Sequence, residues 1–130
     1  MALDQARCNE LLAYVHAGGA PPTVTAPTRV RLMTANGTST TNGTEVATGG
    51  GYTAGAGAPS VTWAAAASGT QATNAIVSIT NYPRAETVVG AEIWDSTPKR
   101  IEWGALSASK TMAAGDTLSF ASAAISSALS

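Results

Sequence analysis

Charge, aromatic side chains and cysteine are all scarce in this chain of 130 residues. Only 12% of it is charged, with seven Lys and Arg against eight Asp and Glu. Proteins that grip phosphate backbones carry a strongly basic surface, so nucleic acid is not an expected partner. The single cysteine, Cys8, has no second thiol to pair with. No short apolar segment with a basic flank and a cleavage site opens the chain, which fits synthesis in a reducing cytoplasm without export by a signal peptide. No apolar run approaches the roughly 20 residues that span a bilayer, so no membrane partner is expected.

The same scarcity limits chemistry. His16 is the only histidine, and a helix would hold it about 12 Å from Cys8 along its axis, too far for a nucleophile and its base. Zinc sites usually take three or four His, Cys or carboxylate ligands, and no such cluster is visible, so neither metal nor cofactor is expected. His16 instead suits an exposed position near a helix C-terminus, where a positive charge complements the dipole. Glu92, Asp95 and Glu102 could share one sheet region, and two acids about 5–10 Å apart can cleave glycosides. Lys99 and Arg100 lie between them, however, and cross-strand ion pairs are the simpler reading. Gly49-Gly50-Gly51 lacks the GK[ST] ending of a phosphate loop, which leaves mobility or close backbone approach as its role. Asn36-Gly37-Thr38 and Asn42-Gly43-Thr44 match the glycosylation pattern, but in a Thr-rich chain without a signal peptide the match reads as chance. No catalytic residue is assigned.

What is present is small and apolar. The chain is 45% hydrophobic but only 5% aromatic, so the core is expected to be thin and gathered around Trp63, Trp94, Trp103, Phe120, Ile76, Ile79, Ile93 and Ile101. A chain of this size buries about two-thirds of its unfolded surface and can fold as one domain. Residues 1–17 read as a helix with Asp4 as N-cap and Gly18-Gly19, then Pro21-Pro22, as its stop. Cys8, Leu11, Leu12 and Val15 form its apolar stripe, with Arg7, Asn9 and Glu10 away from it. Residues 1–20 are therefore set apart as a packing or docking segment, and residues 21–130 as a β domain.

From Thr28 the period becomes that of strands. Val30 and Leu32 alternate with Arg29, Arg31 and Met33. A glycine-rich loop at 36–57 follows, with a short strand around Thr44 to Ala47 and little capacity for core. Strands are expected over Ser60 to Ala66 and Ala75 to Thr80, with Ser68-Gly69 turning between them; apolar residues on both faces suggest a central place for the second. Val88 to Trp94, Arg100 to Leu106 and Thr117 to Ser122 follow, with Ser107 to Asp116 as a connection ending in a turn at Ala113 to Asp116. Ile101, Trp103 and Ala105 are expected on the buried face of their strand, and Arg100, Glu102 and Gly104 on the other. A last strand falls within Ala121 to Leu129. Short strands separated by turns indicate an all-β antiparallel sandwich or jelly-roll-like barrel with one N-terminal helix.

Several segments resemble one family in order and spacing. They are Ile93-Trp94-Asp95, Trp103 to Ser107, Lys110-Thr111 and Ala114 to Phe120, with Gly43 to Val46 and Gly49 to Tyr52 upstream. Together they are similar to small bacteriophage virion proteins, labelled tail fibre proteins or resembling capsid decoration proteins. The pair Thr53-Ala54 departs from the pattern, where the family has a small residue and then Arg, and the N-terminal helix lies outside it. The resemblance implies a non-enzymatic virion structural protein made in the host cytoplasm. Foremost it implies a decoration protein that cements the capsid surface as a homotrimer against the major capsid protein; a tail fibre or tail-tip component is the alternative. A carbohydrate-binding sandwich, a third reading, would need Trp63, Trp94 and Trp103 exposed as sugar platforms. For the virion reading the candidate interface residues are Leu11, Leu12, Val15, Tyr52 and Trp103.

Overall fold

The computed structural model describes residues 1–129. The chain begins with a two-residue edge strand, β1 (Ala2–Leu3), and enters helix α1 (Gln5–Ala17) through Asp4, which holds extended backbone and accepts from the Ala6 N–H at 2.9 Å. Gly18 closes the helix in the left-handed conformation that favours glycine (φ 64°). The expected cap and stop are both where the sequence puts them.

The body is built on a main sheet in the order β1-β8-β7-β2-β3, antiparallel throughout, with β4 pairing to the start of β2. Its strands are β2 (Thr28–Ala35), β3 (Thr44–Glu45), β4 (Ser60–Val61), β7 (Glu86–Trp94) and β8 (Arg100–Met112). Two ribbons face it: β5 (Thr70–Ala72) with β10 (Ser126–Ala128), and β6 (Val77–Ile79) with β9 (Leu118–Phe120). Val30 and Leu32 of β2, and Ala91 and Ile93 of β7, are buried against Val77, Ile79, Leu118 and Ile125 in one core cluster. The alternate residues Arg29, Arg31, Glu92 and Trp94 project to the opposite face, as the two-residue period of a strand requires. The result is an all-β sandwich with one N-terminal helix.

Strand β8 departs from simple alternation. Ile93 pairs with Glu102 and Trp94 with Arg100, so β8 carries one residue more than β7 between these pairs. Such a bulge shifts the side chains beyond it by one face. Arg100 therefore joins Glu92 and Trp94 on the outer face, while Glu102 joins Ile93 on the core side, and both are buried. The expected division of Ile101, Trp103 and Ala105 from Arg100, Glu102 and Gly104 fails for this reason: Ile101 and Trp103 are half-buried and Ala105 is exposed. A second shift, between Val88 and Gly90, bows out the middle of β8. The segment from Ser107, expected as a connection, thus continues as strand to Met112 before the turn at Ala113, where the Asp116 carboxylate accepts from the Ala113 N–H at 2.8 Å.

Other expectations need correction too. Ile76 is 69% exposed and lies outside the core, and β6 pairs with β9 alone, so that run is not central. Trp94 and Trp103 lie on the outer face of the sheet. Tyr52 and Tyr82, not foreseen in the core, are fully enclosed. The 36–57 loop contributes Val46 and Tyr52 to the interior, more than its composition suggests. The expected strand over Ser60 to Ala66 shrinks to Ser60–Val61, beyond which Trp63 makes a single bridge to Thr73. The glycine run serves close approach: a Cβ on Gly51 would meet the Thr80 carbonyl oxygen at 1.8 Å.

Candidate functional site

The outer face of the main sheet brings together the charge that the sequence spreads thinly. Arg31, Glu92 and Trp103 share one rung across β2, β7 and β8, and Arg29, Trp94 and Arg100 share the next. Glu92 accepts from Arg100 at 2.9 Å, from the Gly43 N–H at 2.8 Å and from Trp94 Nε1 at 3.0 Å. Arg31 stacks over the Trp94 ring with its guanidinium carbon 4.1 Å from the centroid, and pairs with Glu45 at 3.6 Å. Glu45 in turn accepts from the Tyr52 hydroxyl at 2.8 Å, and that same oxygen accepts from the Leu32 N–H at 3.1 Å. Burial holds the Tyr52 phenol well above its ordinary value, so it serves as a neutral donor.

Along the β8 edge of the sheet runs the N-terminal arm, comprising β1, which pairs with β8, then Asp4 and α1. Arg100 donates from Nε and Nη2 to Asp4 Oδ2 at 2.8 and 2.6 Å, and to the carbonyls of Thr38 and Thr41 at 2.6 and 2.8 Å. One guanidinium thereby ties the arm, the loop after β2 and the sheet. Arg7, 5% exposed, donates to Asp95 at 2.9 Å and to the Thr23 carbonyl at 2.8 Å. Glu10 meets Lys99 at 3.7 Å on the surface. Asp4, Arg7 and Glu10 are three residues apart, so they line one side of the helix. The arm thus presents a minus-plus-minus ladder to the plus-minus-plus set of Arg100, Asp95 and Lys99.

Asp95 also organises the β7–β8 turn. Its Oδ1 accepts from the Lys99 N–H at 2.8 Å and the Thr97 N–H at 2.9 Å, and from the Thr97 hydroxyl. Burial by itself would raise this carboxyl; the bonds from Thr97 and Lys99 outweigh it and lower it from 3.8 to about 2. Glu92, Asp95 and Glu102 are therefore each engaged structurally, Glu102 by the Ser127 hydroxyl. The Glu92–Arg100 contact is the expected cross-strand ion pair. Glu92 and Glu102 lie on opposite faces of the sheet, so they do not flank a common substrate position as a glycosidase pair would. Among the described residues, no three His, Cys, Asp or Glu side chains come close enough to hold a metal ion.

The proposed interface residues fall in different places. Leu12 and Val15 are 57% and 62% exposed on the free side of α1, beside Tyr14. Leu11 lines a cleft of about 460 Å³ between α1, the core side of the sheet and the β5–β10 ribbon, together with Val24, Trp63, Ile101, Glu102 and Leu129. Tyr52 faces its own core and presents no surface. Trp103 is half-buried on the outer face. None of the three tryptophans forms a free platform: Trp63 donates to Thr28 at 2.9 Å, Trp94 lies under Arg31, and Trp103 Nε1 is enclosed. Sequence reasoning missed Asp4, Arg7 and Arg100 as a unit. Arg7 lies off the apolar stripe, yet three charges of alternating sign at a spacing of three, in a chain this poor in charge, are the available signal.

Over residues 4–128 the chain matches the family described as podophage GP4 fiber I protein gp80. No curated protein matches it. The matched region includes Asp4 and α1, both ribbons and the main sheet apart from β1.

Proposed function

Because the chain belongs to this phage fibre family and is a structural protein of the virion, we propose that it is a building block of a tail fibre. The observation that carries this reading is the family match, which spans nearly the full chain under a fibre description. It moves the fibre ahead of capsid decoration, the role that the sequence resemblance put first. A sandwich of this size cannot make a long fibre alone. It acts as a rigid module joined to copies of itself, as a homotrimer, and to a further virion component. The exposed Leu12, Tyr14 and Val15 on α1 offer an apolar strip for such joints.

The test is the number of copies per purified virion, measured by quantitative mass spectrometry against the major capsid protein. A few dozen copies or fewer, with antibody label at the tail, is the expected result. Hundreds of copies would place the protein on the capsid lattice as a decoration protein bound to the major capsid protein, and would overturn the fibre reading.

A further inference from the structure

Among the described residues three carboxylates are buried, those of Glu92, Asp95 and Glu102. Glu92 has the Arg100 guanidinium at 2.9 Å, and Asp95 has that of Arg7 at 2.9 Å. Glu102 is just as enclosed, at 5% exposure, yet it has no ion-pair partner among the described residues. The one hydrogen bond it receives there comes from the Ser127 hydroxyl to Oε1. A carboxylate accepts several hydrogen bonds through its two oxygens, and buried charges are ordinarily paired. Glu102 therefore lacks both a counter-charge and a donor on Oε2.

This shortfall faces a space. Glu102 lies in the wall of the cleft of about 460 Å³ between α1, the sheet and the β5–β10 ribbon, a size within the range of small-molecule sites. Other polar side chains of the wall are bonded elsewhere. Arg7 is answered by Asp95 and Glu10, and Trp63 donates to Thr28 at 2.9 Å. Thr70 and Gln71 donate to the carbonyls of Ala67 and Ala64, each at 2.9 Å. The remainder of the wall is mainly apolar and includes Leu11, Ile101, Val24 and Leu129. One acceptor short of a donor, set in an otherwise apolar hollow, selects a ligand by a single charge and holds it by its hydrocarbon.

We infer that this cleft binds a small organic cation, an ammonium group carried on a hydrocarbon body. The ammonium donates to Glu102, and the body packs on Leu11, Trp63 and Ile101. Glu102 sets the sign of the ligand. An anion would bring a second negative charge beside it, and an alcohol would offer a donor without the counter-charge that strengthens the bond. The site is distinct from the exposed strip of Leu12, Tyr14 and Val15, so it stands whether or not the protein is a fibre module.

The probe is n-hexylammonium chloride, with n-hexanol as its neutral counterpart and hexanoate as its anionic one. Each is titrated into the isotope-labelled full-length protein while the backbone amide resonances of cleft residues such as Gln71 and Ser127 are followed. Saturable shifts are expected there, with the amine bound at least about tenfold more tightly than the alcohol, as one charge-assisted hydrogen bond provides, and hexanoate more weakly than either. Glu102→Gln keeps an acceptor for Ser127 but removes the charge, and should bring the amine down to the affinity of the alcohol. Gln71 is exposed and is the cross-strand neighbour of Ser127. Gln71→Lys therefore supplies an ammonium to the same wall from within the chain and should block the amine, which keeps the test open should Glu102→Gln not fold. The inference is overturned if the wild type shows no saturable shift with the amine, if it binds amine and alcohol equally, or if the preference for the amine survives in either folded variant.

Discussion

Arg100 makes hydrogen bonds to Asp4, Glu92, Thr38 and Thr41 while only 5% exposed. Replacing it by Met leaves two carboxylates enclosed without their counter-charge, which typically costs 3–5 kcal/mol, about what breaking one side of a buried ion pair costs elsewhere. Urea unfolding of Arg100→Met should show a loss of that order, whereas Lys99→Gln on the surface should shift stability by less than about 1 kcal/mol. Asp95 gives a pH signature. Its folded value is depressed from 3.8 to about 2, so the stability it contributes is present above pH 3.8 and lost as pH falls towards 2. A shift of that size corresponds to about 2 kcal/mol. Asp95→Asn should flatten the stability profile between pH 4 and 2, and an unchanged acid slope would show that other carboxylates set it. Tyr52 and Tyr82 act at the other end of the scale. Burial raises both above the ordinary 10.0, so they stabilise the fold fully below pH 10 and that contribution is lost as pH rises through their folded values. Their phenolate absorbance should appear together with unfolding in an alkaline titration.

Elements were legible where periodicity and punctuation agreed. Helix α1 followed from Asp4, Gly18 and the prolines, and β2 and β7 from alternation that the sheet preserves. The β8 strand was half legible: its start at Arg100 could be read, but not the bulge that reverses which of its side chains are buried. A bulge is specified by pairing with β7, which a single strand's sequence does not encode. The low-complexity loop hid two core residues because Val46 and Tyr52 are isolated among Thr, Gly and Ala, with no period to mark them. The glycine run beside them shows why the composition is needed. Gly51 packs its backbone on Thr80, and its N–H donates to the Asn81 carbonyl at 2.7 Å. Gly51→Ala places a methyl group where no space exists and should cost about 1–3 kcal/mol, the range for overpacked sites. On α1, by contrast, Leu12→Ser with Val15→Ser should leave folding stability within about 0.5 kcal/mol per site, since both are exposed.

For the whole molecule, a sandwich with few large core residues gains from association. The candidate site was legible only as scattered residues, because an ion-pair ladder between residues 4–10 and 95–100 depends on contacts across most of the chain length. If the chain self-associates as proposed, folding and assembly are linked, and the apparent stability depends on protein concentration by mass action. Raising the concentration a hundredfold should then add about 1.4 kcal/mol per chain for a dimer and about 1.8 for a trimer, which moves the melting temperature upward by several degrees in a chain of this size. Calorimetry of the wild-type protein across that range measures it. The double variant Leu12→Ser with Val15→Ser, which removes the uncovered apolar strip of α1, should lose most of the concentration dependence. A melting temperature independent of concentration in the wild type would mean that single chains reach full stability without association. The homotrimer of the proposed function would then be overturned, and the uncovered Leu12, Tyr14 and Val15 side of α1 would be left to a different virion component.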